Sequence, residues 1–187
     1  MNLIALILLI GFGETTLIGT KPPEFDRVTW LTDHPVRLSD LYGKVVLVRW
    51  WTAPGCSYCA ASAPALNGFV DEFGSKGLVV IGLYHHKSND SLTQDFVEEQ
   101  VHSLGLRFPI GIDNDWNNLQ RWWLNGGNRD WTSVSFLLDR NGFIRYIHPG
   151  GAYSTEATES YPSAQADYRT LRAHIERLLG GHGETRK

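Results

Sequence analysis

The chain has 187 residues, 42% of them hydrophobic and 20% charged, and seventeen basic against twenty acidic residues leave a net charge of −3. That length suits one globular domain with room for a short appendage, and seven Trp, seven Tyr and eight Phe supply core material that a disordered or collagen-like chain lacks. No basic stripe recommends a nucleic-acid partner, and no apolar run reaches the ~20 residues of a spanning helix, which excludes a polytopic membrane protein.

Within residues 1–20, Leu3 to Phe12 is an apolar stretch of signal-peptide length, followed by the small residues Gly13 and Gly19. No Lys or Arg precedes it and no clean A-x-A site follows. The segment reads as an export signal, or as a membrane tether through residues 3–12 if retained; the other reading is an N-terminal element packed on the domain. Cysteine occurs only within one C-x-x-C, which suits an extracytoplasmic protein, because stray thiols mispair in an oxidising compartment.

Pro22 and Pro23 lead into a domain expected over residues 24–180. Glu24 to Trp30 and Val36 to Leu41 read as short strands around a turn at Asp33-His34-Pro35. Lys44 to Trp51 is nearly continuously apolar, as a strand buried on both faces must be. Residues 56–73 read as a helix, with Leu66, Phe69, Val70 and Phe73 at i, i+3, i+4 and i+7 and Gly74 and Gly77 behind them. Leu78 to Tyr84 is a second β-branched run, so the order strand, helix, strand implies a right-handed parallel βαβ unit. Leu92 to Leu104 reads as a helix, Phe108 to Ile112 as a short strand, Asp115 to Leu124 as another short helix, and residues 125–130 as a loop. Ser135 to Asp139 and Phe143 to His148 are strands joined through Arg140-Asn141-Gly142, a hairpin signal. Ala164 to Leu179 is the last helix, with Tyr168, Leu171, Ile175 and Leu178 as its buried stripe, and residues 181–187 form a flexible tail. The expected architecture is α/β: a mixed central sheet between helices on both faces, with residues 92–124 as a helix–strand–helix insertion.

The chemistry concentrates in Trp51-Thr-Ala-Pro-Gly-Cys-Ser-Tyr-Cys-Ala-Ala-Ser-Ala-Pro64. A buried strand ends, a tight loop follows, and a helix starts at or near Cys56. Unpaired N–H groups and the helix dipole favour an anion there, and the thiolate is the reactive form of cysteine. Cys56 is therefore the candidate nucleophile. Cys59, one turn on and on the same face, is the candidate resolving thiol, attacking a mixed disulfide on Cys56. Ser57 and Tyr58 lie between them. A metal site would need two further ligands, for which His85 and His86 are the candidates, and a structural staple closing so short a loop removes little chain entropy.

These residues resemble the thioredoxin superfamily, and within it the TlpA-like or ResA-like thiol–disulfide oxidoreductases. Leu38-Ser-Asp-Leu41 with Gly43-Lys-Val-Val-Leu-Val48 resembles that family's lead-in to its first core strand. Trp51 precedes the cysteine pair, Pro64 stands where the superfamily has its helix-kinking proline, and Phe136-Leu-Leu-Asp139 with Asn141-Gly142 matches its late hairpin. The resemblance spans roughly residues 24–180. It implies a three-layer thioredoxin-like fold and disulfide exchange through Cys56 and Cys59 with protein disulfide or dithiol partners or small thiols, with no bound cofactor and no metal. Trp51, Pro54, Ser57, Tyr58, Pro64, Thr132 and Ser133 are the expected shapers of the site.

The chain departs from the family at three places. Trp51 to Cys56 is one step longer than usual, and Gly55 is the candidate for the added residue. Ser133 fills the slot of the family's cis-proline; a non-proline cis bond costs about 3 kcal/mol, so a trans Thr132–Ser133 bond is expected. Arg49 stands where many relatives carry a buried Asp or Asn. It either tunes the thiolate or places its guanidinium at the sheet edge or against a carboxylate such as Asp139.

His85 and His86 follow the second core strand. They are candidates for tuning or shuttling protons to the thiols, although exposed loop histidines are the plainer reading. Trp116, Trp122, Trp123 and Trp131 are read mainly as core. Two alternatives share the fold. A peroxiredoxin-like thiol peroxidase would need a P-x-x-x-T-x-x-C site, but Thr52 lies four residues before Cys56 with no proline suitably upstream. A Cu(I)-binding assembly factor would use Cys56, Cys59 and a histidine.

Overall fold

The protein is represented by a computed structural model in which residues 17–127 and 129–180 are described. The signal-peptide or tether reading of residues 3–12 and the tail at 181–187 lie outside the described residues. Leu17 to Thr20 lie against the late hairpin, where the Gly19 N–H donates to the Ile144 carbonyl at 2.8 Å and the Ile144 N–H to the Thr20 carbonyl at 2.9 Å.

A six-stranded sheet carries the fold. Its strands are β1 (Val28–Trp30), β2 (Val45–Trp51), β3 (Leu78–Tyr84), β4 (Ile110–Asp113), β5 (Ser135–Leu138) and β6 (Ile144–His148), in the spatial order β1-β4-β3-β2-β5-β6. The pairs β2–β3 and β3–β4 are parallel, and β1, β5 and β6 join antiparallel, so the sheet is mixed as expected. Every residue of β2 is buried, which explains its unbroken apolar run: it is central and covered on both faces.

Alternation along β2 divides the core. Val45, Leu47 and Trp51 pack with α1 (Ser57–Phe73), α2 (Gln94–Ser103) and α4 (Ala164–Gly180). Val46, Val48 and Trp50 pack on the other face with Leu119, Trp122 and Trp123 from the segment beginning at α3 (Asn117–Leu119). The α4 stripe is confirmed: Leu171 and Ile175 are fully buried, with Tyr168 and Leu178 packed beside them. β4, the strand of the inserted segment, joins β3 to β1 within the sheet.

Two local expectations need correction. Val36 to Leu41 is not a strand; Leu38–Leu41 forms a 3-10 helix. The Glu24 carboxylate accepts the Leu38 N–H at 2.8 Å and the Ser39 N–H at 3.1 Å, satisfying donors that a helix start leaves free. The stretch 115–124 is not one helix either. Asp115 and Trp116 both take left-handed backbone angles, with φ of 55° and 57°, before α3, which then continues as a π-turn over Gln120–Leu124. Asp113 organises this segment. One carboxylate oxygen accepts the Asn118 backbone and side-chain N–H groups, both at 2.8 Å, and the other accepts the Leu119 N–H at 2.8 Å and the Trp50 indole N–H at 2.9 Å.

Candidate active site

β2 delivers Trp51 to the carboxyl edge of the sheet, where Thr52 to Gly55 turn the chain into α1. Ala53–Pro54 is the one cis peptide among the described residues, so the Thr132–Ser133 bond is trans, as expected with serine in the proline slot. Gly55 has φ +90°, a backbone region that disfavours side-chain-bearing residues, which fits it as the extra loop residue. Tyr84, at the end of β3, holds the loop from beneath. Its hydroxyl donates to the Ala53 carbonyl at 3.1 Å and lies 2.9 Å from His86 Nδ1, while its ring meets the Trp51 edge at 5.0 Å.

Cys56 is the N-cap of α1, and its sulfur accepts the Cys59 N–H at 3.1 Å. The first turn of α1 carries no acidic side chain to oppose a thiolate at that dipole end. Cys56 and Cys59 form a disulfide with Cα atoms 5.2 Å apart. Cys56 is half-buried and Cys59 is buried, so the two sulfurs differ in access to solvent. Pro64 lies inside α1, where it has no N–H for the Ala60 carbonyl. Nearby, the Ser62 hydroxyl donates back to the Tyr58 carbonyl at 2.8 Å and accepts the Tyr153 N–H at 3.2 Å.

The disulfide borders a cavity of about 330 Å³ that brings together Cys56, Cys59, Ser57, Tyr58, Thr132 and Ser133. Its mouth is aromatic: Tyr58 meets Trp131 edge-on at 5.7 Å and Tyr161 at 5.3 Å, and Trp131 is 49% exposed. Of the four tryptophans read as core, Trp122 and Trp123 are buried and Trp116 is half-buried, but Trp131 is a rim residue. Pro54 stands apart from this cavity, on an adjoining groove with Gly55 and Ala60.

Arg49 neither reaches the sheet edge nor pairs with Asp139. It is 1% exposed and donates to the Ser133 carbonyl at 2.5 Å, the Ser135 hydroxyl at 3.2 Å and the Gly151 carbonyl at 2.9 Å, with its guanidinium over the Tyr153 ring at 5.0 Å. Asp139 instead holds Arg145 at 2.6 Å. The guanidinium thus ties the Ser133 wall of the cavity to β2 through uncharged oxygens, and burial lowers its pKa. It also acts on the buried His148, whose imidazole is pushed down to about 4 by burial and then by Arg49, with Asp167 opposing.

The reading of His85 and His86 as exposed loop histidines is overturned. His85 is fully buried and lines the cavity, and His86 is half-buried, because Tyr84 and Trp116 close over the end of β3. Burial and the Lys87 ammonium push the His85 imidazole down to about 3, with Arg49 adding to the effect and the Trp51 carbonyl opposing it only in part. The Tyr84–His86 pair and the Tyr153 support of Arg49 carried no motif; an aromatic residue at the end of β3 was the sole trace of the first, and the second left none.

Residues 18–147 match the AhpC/TSA family. The chain belongs to that family. It is 30% identical over 152 residues to Protein DipZ of Mycobacterium bovis, covering 79% of this chain and 21% of DipZ, so the chain spans about a fifth of that relative's length. Thiol-disulfide oxidoreductase ResA of Geobacillus kaustophilus is 29% identical over 158 residues, covering 79% of this chain and 84% of ResA. The fold is also that of a crystal structure described as a putative thiol:disulfide interchange protein DsbE from Chlorobium tepidum, with a TM-score of 0.68 at 24% identity over 87% of this chain and 98% of that one. The domain thus has the thioredoxin-like fold, and its paired cysteines stand at the strand-to-helix turn. These relatives do not favour the peroxidase alternative. Among the described residues no three His, Cys, Asp or Glu side chains are grouped to hold a metal ion.

Proposed function

We propose that this protein exchanges disulfides with protein dithiol or disulfide partners outside the cytoplasm, with Cys56 attacking and Cys59 resolving. The observation that carries the assignment is the asymmetry of the pair. The Cys56 sulfur is the more accessible and already accepts a backbone N–H at the helix start, whereas Cys59 is buried behind it. When the disulfide opens, the same N–H and the helix dipole stabilise a Cys56 thiolate. The buried Arg49 charge acts in the same direction, because its hydrogen bonds go to uncharged oxygens and a nearby thiolate supplies the anion they do not.

The relatives named ResA and DsbE support a partner that is itself a protein. The apolar stretch at 3–12 supports export or a membrane tether, while among the described residues no helix is long and apolar enough to cross a membrane. Small thiols remain competing partners in the test. Cys59→Ser should accumulate covalent adducts on Cys56, resolved by mass spectrometry into protein and small-thiol conjugates. A Cys59→Ser variant that turns over normally and traps nothing refutes the assignment.

A further inference from the structure

Ile18, Tyr42, Tyr58, Leu92 and Trp131 are the large hydrophobic side chains left exposed among the described residues, and two of them, Tyr58 at 36% and Trp131 at 49%, meet beside the disulfide. Tyr58 lies between the two cysteines in the first turn of α1, and its ring contacts Trp131 at 5.7 Å and Tyr161 at 5.3 Å. Tyr58 and Trp131 line the same cavity of about 330 Å³ as Cys56 and Cys59. Three separate segments thus bring aromatic rings to one side of the reacting sulfurs. Single exposed apolar residues need no explanation, but a cluster of them beside a reactive group marks a contact surface.

The rings are held in place without being buried. The Trp131 carbonyl accepts the indole N–H of the buried Trp123 at 2.9 Å, which fixes this backbone to the core. The Trp131 side chain lies against Gly150, where a Cβ would come within 2.7 Å of Trp131 Cβ and 2.8 Å of its Cγ, so the indole keeps its position only beside a glycine. Tyr161 is set by a turn in which its N–H donates to the Thr158 carbonyl at 3.0 Å, and its own carbonyl accepts the Ala164 N–H at the start of α4 at 3.1 Å.

We propose that Tyr58, Trp131 and Tyr161 form a lip that seats a large apolar side chain next to the reacting cysteine of a protein partner, and so select protein partners over small thiols. The proposal rests on the exchange reading above and deepens it. Cys56 opens on two depressions; both sulfurs line the aromatic one, whereas the groove at Pro54 reaches Cys56 alone. Exchange involves both sulfurs, so the partner approaches through the first, and residues flanking its cysteine come against Tyr58 and Trp131. Charge gives little selection there, because the charged side chains on that wall are Lys87 and Asp130, one of each sign. Tyrosine and tryptophan, in contrast, gain contact energy by covering apolar surface, and they dominate protein interfaces for that reason. Glutathione has no apolar side chain to offer the lip.

The test uses the reduced full-length protein and three mixed disulfides of thionitrobenzoate: a pentapeptide with phenylalanine on both sides of its cysteine, the same peptide with serine instead, and glutathione. The Cys56 thiolate attacks the peptide or glutathione sulfur, the disulfide bond breaks, and thionitrobenzoate leaves with the electron pair and is read by its absorbance. The phenylalanine peptide should react about tenfold faster than either other disulfide, the effect of one modest interface contact. Trp131→Ala should reduce that ratio to about two or less. Gly150→Ala keeps all the rings but drives a Cβ into the indole, so it should reduce the ratio as well; Tyr161→Ala serves if Gly150→Ala does not fold. The ratio is decisive because a loosened fold slows the three reactions together. Equal wild-type rates, a faster reaction with glutathione, or a ratio preserved in Trp131→Ala overturns the proposal. If Cys56→Ser releases thionitrobenzoate as fast as wild type, the exchange order itself has failed, a result separate from the selectivity of the lip.

Discussion

Asp113→Ala tests whether one buried carboxylate builds the wall beside the site. The substitution strands four donors at once: the Trp50 indole N–H, the Asn118 backbone N–H and side-chain amide, and the Leu119 N–H. Trp50, Asn118 and Leu119 are each fully buried, so water does not readily replace the lost acceptor. At about 1 kcal/mol for each unmade bond, the low end for buried groups, the loss is about 4 kcal/mol, against about 5–15 kcal/mol for a whole domain. Asp113→Asn keeps one acceptor oxygen but turns an amide toward two donors, so about half that loss is expected. Urea unfolding of the oxidised protein, followed by tryptophan fluorescence, should place Asp113→Asn between wild type and Asp113→Ala with unchanged m values. If both variants stay within about 1 kcal/mol of wild type, the carboxylate is not the anchor of this segment and Trp116 must be held in place by other contacts.

Gly82→Ala, in β3, brings a Cβ to 2.6 Å from Ile110 Cδ1 and 3.0 Å from both Phe108 and Trp51 Nε1. Overpacking of a tight core should cost about 1–3 kcal/mol by urea titration, and an unchanged midpoint would show that these side chains give way freely. His85 and His148 are held neutral in the fold, near pKa 3 and 4, against about 6.5 when unfolded, so the unfolded chain binds more protons below that value. Stability of the oxidised protein should therefore be complete above about pH 6.5 and fall as pH drops toward 4, by about 1.4 kcal/mol per pH unit for each proton taken up. His148→Gln should flatten that fall, and a pH profile identical to wild type would contradict the burial assigned to His148.

Much of the fold was legible because its signals are local. The apolar run of β2, the helical spacing of Leu66, Phe69 and Phe73, and the Asn141-Gly142 turn each follow from periodicity or backbone freedom within a few residues. Cys56 and Cys59 were legible for the same reason, since a strand-to-helix turn and a C-x-x-C are contiguous. What could not be read depends on partners far along the chain. The helical turn at Leu38–Leu41 rests on Glu24, fourteen residues before Leu38. The place of Arg49 rests on Ser133 and Gly151, 84 and 102 residues away. His85 looks like a loop residue in sequence and is buried where the left-handed turn at Asp115 and Trp116 brings an indole against its ring. No short-range pattern encodes such closures.

Arg49 and His85 make the interior beside the disulfide unusual in one respect: the groups beneath it are a fixed cation and neutral imidazoles. A carboxylate in the place of Arg49 would take protons but would also repel the thiolate that forms when the disulfide opens. The guanidinium removes that repulsion, yet it cannot accept a proton. Through the Ser133 and Gly151 carbonyls Arg49 fixes the cavity wall, and its charge, with burial and Lys87, keeps the His85 imidazole unprotonated.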